Sequence, residues 1–75
     1  MKVQVTDGIK EEHTIELDDF ATLQDVTKAL IEKGVSVEGD AKYLYENLVL
    51  VDSKPLYLQR VRNGSRIHLP GNRRN

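Results

Sequence analysis

Two histidines, His13 and His68, and two acidic pairs, Glu11-Glu12 and Asp18-Asp19, are the side chains best suited to moving a proton or holding a metal. A structural or catalytic metal needs three or four ligands brought together by their spacing. Two distant histidines in a chain without cysteine do not supply that. Paired carboxylates for acid–base work must face one reacting atom, yet neighbours on a strand point to opposite faces. No third group organises either pair, so all four acids read as solvated loop charge. His13 is expected on the inward side of a strand, at the edge of the core. His68 is expected to face outward as a contact at the rim of a surface. No glycine-rich phosphate loop is present. The expectation is a non-catalytic chain with no catalytic residue, no cofactor and no metal.

Two other patterns have chemical readings. Asn63-Gly64-Ser65 matches the N-glycosylation acceptor pattern, but without a secretory signal it reads as a turn. Tyr43, Tyr45 and Tyr57 beside Arg60, Arg62 and Arg66 could stack bases and hold phosphates. However, Tyr43 and Tyr45 flank Leu44 in alternation and should face inward, and the net charge is −1. Nucleic acid is therefore not the expected partner.

The charge is unevenly placed. Residues 7–40 carry ten acids and three bases, whereas residues 54–75 carry six bases and no acid. Such polarity gives a surface a sign and steers an oppositely charged partner.

These side chains must be positioned by a small set of elements. Val3 and Val5 alternate with Lys2 and Gln4, the period of a half-buried strand. Asp7-Gly8 carries turn chemistry, and Ile15 and Leu17 alternate with Thr14 and Glu16 in a second strand. The connection between them, from Thr6 to His13, is expected to be a wide turn or bulge. Thr22-Leu23-Gln24-Asp25 is a helix-capping pattern, and Leu23, Val26, Leu30 and Ile31 follow as an apolar stripe. Gly34 can end the helix in a left-handed conformation, so a helix over residues 23–33 is predicted. Short strands are expected around 42–45 and 48–50, joined at Glu46-Asn47. A connecting segment from Pro55 to Arg62 contains one helical turn, and Arg66 to Leu69 closes the sheet. The order is ββαβββ. A sheet with one buried face and one amphipathic helix closes its core in two layers, leaving the other face for function.

Seventy-five residues suffice for one domain, and without cysteine its core rests on apolar packing alone. No stretch approaches the roughly 18 apolar residues of a membrane span, and Met1 to Val5 lack a signal peptide's apolar run. A cytoplasmic monomer is expected, with a domain over residues 1–70 and a flexible basic tail over 71–75.

The strand order, the helix start Thr22-Leu23-Gln24-Asp25-Val26 and the closing pattern Leu50, Leu56, Val61, Ile67, His68, Leu69 resemble ubiquitin-like β-grasp domains. The resemblance runs from Met1 to about Leu69. It implies an α+β fold, a mixed sheet of four to five strands with one helix on one face. It also implies a core of Val3, Val5, Ile15, Leu17, Val26, Leu30, Leu50, Leu56, Val61, Ile67 and Leu69. Members of that family dock partners on the exposed sheet face. The matching positions here are Leu44 and His68, with Gly8 and Pro70 where further aliphatics stand in the family. Leu48 is expected close by, with Lys42 and Arg66 flanking. A partner surface mixing aliphatic and acidic residues would fit this patch. Conjugated members end in paired glycines, whereas this sequence has Gly71 followed by Asn72-Arg73-Arg74-Asn75. Of the chain-forming lysines only Lys33 is kept; the other positions hold Thr6, Glu11, Thr27, Ala29, Leu48 and Asn63. The expected role is an interaction module. The alternatives are a modifier or carrier with a different mature C-terminus, and a small accessory subunit of a larger enzyme or secretion complex.

Overall fold

Alternation of valine with polar residues makes the first strand, β1 (Lys2–Asp7), in which Val3 and Val5 have no exposed surface. It pairs antiparallel with β2 (Glu11–Glu16), Val3 opposite Ile15 and Val5 opposite His13. The computed structural model describes residues 1–7, 11–37 and 42–69. Pairing runs out to Asp7 opposite Glu11, so the connection is residues 8–10, shorter than the wide turn the sequence suggested. Glu11 and Glu12 thus belong to a strand rather than a loop, because cross-strand backbone bonding extends to the turn regardless of their charge. Gly8 lies outside the described residues.

The helix α1 (Leu23–Glu32) begins where Thr22 leaves helical geometry. The Asp25 carboxylate accepts from the Thr22 backbone N–H at 2.9 Å, placing negative charge at the positive end of the helix dipole. At the other end the N–H of Gly34 donates to the Ile31 carbonyl and that of Val35 to the Leu30 carbonyl. These two bonds are the Schellman pair, and they require the left-handed backbone that Gly34 adopts at φ +90°. Val35 then packs onto the core beside the helix end. Leu23, Val26 and Leu30 are buried, but Ile31 is 55% exposed. Ile31 is a correction to the predicted stripe. It stands about 100° around the helix from Leu30, beyond the width of the buried face.

Leu44–Tyr45 (β3) and Leu48–Val49 (β4) form a hairpin through Glu46 and Asn47, both at positive φ. Two left-handed residues in a two-residue loop give the turn whose twist suits a hairpin. A 3₁₀ turn over Leu56–Gln59 ends at Arg60 in the left-handed region. The Gln59 amide ties this turn to the segment that follows β4. Its oxygen accepts from the Val51 N–H at 2.6 Å, and its nitrogen donates to the carbonyls of Val51 and Lys54. Asn63 also serves the fold, its side-chain oxygen accepting from the Lys2 N–H at 2.8 Å while Ser65 is buried. The last strand, β5 (Arg66–Leu69), runs parallel to β1 and antiparallel to β3. The sheet order is β2-β1-β5-β3-β4.

The described residues therefore form a small α+β domain, a five-stranded mixed sheet with one helix. The eleven core positions implied by the resemblance are all buried, and Ala21, Leu23 and Tyr43 join them. The Tyr43 hydroxyl meets the Thr27 hydroxyl at 2.5 Å, linking β3 to the helix. No helix among the described residues is long and apolar enough to cross a membrane.

Candidate functional site on the outer sheet face

The helix and the inner strand residues share one core, so the other face of the sheet is open. Its composition follows from register. His68 stands beside Leu44 on one side and Thr6 on the other; Leu44 pairs with Val49, and Thr6 with Glu12. Paired residues project to the same face. One row across the sheet is therefore Val49, Leu44, His68, Thr6 and Glu12, apolar at the β4 edge and acidic at the β2 edge. The next row is Arg66, Gln4 and Thr14.

Leu44 is half-buried and His68 is exposed, and they are direct neighbours. Lys42 is exposed just before β3 and forms no ion pair with another described residue. Arg66 differs. Its Nε lies 3.5 Å from a Glu12 carboxylate oxygen, so its charge is shared across the sheet. That contact is exposed and weak. Gln4, the middle member of the second row, has its Oε1 shielded and without a hydrogen-bond partner among the described residues.

Leu48 does not belong to this face. It pairs with Tyr45, on the side that holds buried Tyr43 and Leu50, and is 65% exposed at the hairpin tip. Val49, 58% exposed, takes the expected place of Leu48 beside Leu44. The signal that could have found Val49 was in the sequence. A two-residue loop at Glu46-Asn47 makes Tyr45 and Leu48 partners, and hence Leu44 and Val49. Pro70 and the 71–75 tail lie outside the described residues.

His13 sits opposite Val5, half-buried, with its Nε2 shielded and without a hydrogen-bond partner among the described residues. Asp18 accepts from the Phe20 N–H at 3.2 Å, and Asp19 approaches the Met1 amine at 3.7 Å. These acids do separate jobs and do not converge on a common point. Among the described residues no group of three or more histidines and acids is placed to hold a metal ion.

No protein-family model matches the chain, and no curated protein matches it.

Proposed function

We propose that the chain is a non-catalytic interaction module of the ubiquitin-like β-grasp type that binds a protein partner through its outer sheet face. The observation that carries this reading is the row Val49, Leu44 and His68, with Lys42 alongside. A half-buried leucine beside an exposed valine, a histidine and a lysine without an ionic partner among the described residues make a small apolar anchor with a basic rim. Such a surface complements one that mixes aliphatic and acidic residues. The strand order, with β1 and β5 parallel at the centre and one helix behind, supports the β-grasp assignment.

The test is a quantitative pull-down with the chain and its Leu44→Ala/His68→Ala variant. The variant should keep its thermal midpoint and lose the partner. Wild-type binding should weaken as salt rises, since exposed charges are screened. A variant that binds normally moves the interface elsewhere, and one that unfolds assigns these side chains to the core.

A further inference from the structure

The chain has four aromatic residues, and the fold absorbs only two of them. Tyr43 is buried against Thr27, and the Tyr45 hydroxyl accepts from Ser65 at 3.3 Å. Phe20 and Tyr57 are instead 68% and 49% exposed. They come from distant segments, the loop before α1 and the 3₁₀ turn, yet meet edge to face with centroids 5.6 Å apart and planes at 79°. The edge-to-face contact favours this arrangement of the two rings in the free chain. Together with Val61 and Arg62 they line a groove of about 430 Å³.

The charge around this groove has a sign. Of the charged side chains lining it, Asp19 is drawn to the Met1 amine. Arg62 forms no ion pair with a described residue. From Ser53 to Leu69 the sequence has Lys54, Arg60, Arg62 and Arg66 and no acid, and only Arg66 has an acidic partner among the described residues. An aromatic floor beside unpaired arginine is complementary to an apolar side chain flanked by carboxylates.

We infer that the Phe20–Tyr57 groove is a second docking site, separate from the outer sheet face, that takes an acidic peptide segment with an aromatic or aliphatic anchor. The anchor packs on the two rings, and a neighbouring carboxylate pairs with Arg62.

The experiment is an NMR titration of the whole chain with a short synthetic peptide carrying a central Phe-Leu flanked by glutamates. A control peptide has lysines in their place. The amides of Phe20, Tyr57, Val61 and Arg62 should shift and saturate with the acidic peptide. The lysine peptide should bind roughly fivefold or more weakly, the scale of one exposed ion pair. Phe20→Ser/Tyr57→Ser should abolish the response. Arg62→Glu, at an exposed side chain, should reverse the preference between peptides. Leu44→Ala/His68→Ala should leave the titration unchanged, so failure of the sheet-face proposal and failure of this one are distinguishable. Shifts centred on Leu44 and His68, equal response to both peptides, or shifts that grow with protein concentration alone would each overturn the inference. The last would make a second copy the occupant.

Discussion

Adjacent apolar residues on α1 should differ sharply in what they contribute to stability. Leu30 has no exposed surface, whereas Ile31 is 55% exposed. Leu30→Ala removes three buried carbons, worth about 2.5 kcal/mol in transfer free energy, and leaves a cavity that adds to the loss. The helix end around it is pinned by the Gly34 and Val35 bonds, so the backbone has little freedom to collapse into that space. A cost of roughly 3–4 kcal/mol follows, within the usual range for a buried leucine. A domain of this size unfolds with an entropy near 0.16 kcal/mol/K, so the thermal midpoint should fall by about 20 °C. Ile31→Ala should change stability by no more than about 0.5 kcal/mol, since alanine's better helix propensity offsets a small loss of contact. Circular dichroism during thermal and urea unfolding measures both. If Leu30→Ala keeps its midpoint, or Ile31→Ala falls as far, the helix register is wrong.

Gly34→Ala should cost about 1 kcal/mol through backbone strain alone, because φ is +90° and an added Cβ meets nothing within 4 Å. A urea midpoint unchanged from wild type would show that the helix ends differently. Burial raises the Tyr43 phenol above its ordinary value of 10.0, with Asp52 and Asp7 adding to the rise and the Thr27 hydroxyl opposing it. Its folded value thus exceeds its unfolded one, so its contribution is full below about pH 10 and is lost as pH rises through the folded value. The stability of wild type relative to Tyr43→Phe should therefore decline above about pH 10, and parallel profiles would refute the placement of this ring.

Much of the fold was legible because it is recorded in short-range pattern. Period-two alternation marked Val3, Val5, Ile15, Ile67 and Leu69 as buried, since a strand shows alternate side chains to the core. Thr22, Asp25 and Gly34 marked the helix ends because caps depend on local backbone donors and on a local left-handed residue. The candidate face was legible in part. Alternation put Leu44 and His68 outward, but their contact exists only because β5 inserts between β1 and β3. That insertion is a long-range event with no local trace. Ile31 was misjudged because apolar character alone cannot place a residue at the margin of a helix face. Leu48 was misjudged because a shift of one residue in register exchanges the faces of a strand, and the hairpin loop sets that register. The Phe20–Tyr57 contact is the clearest product of tertiary structure. Neither residue has a neighbour in sequence that signals the other, and packing of the 3₁₀ turn beside Ala21 brings the rings together, with the Leu56 N–H donating to the Ala21 carbonyl at 2.8 Å.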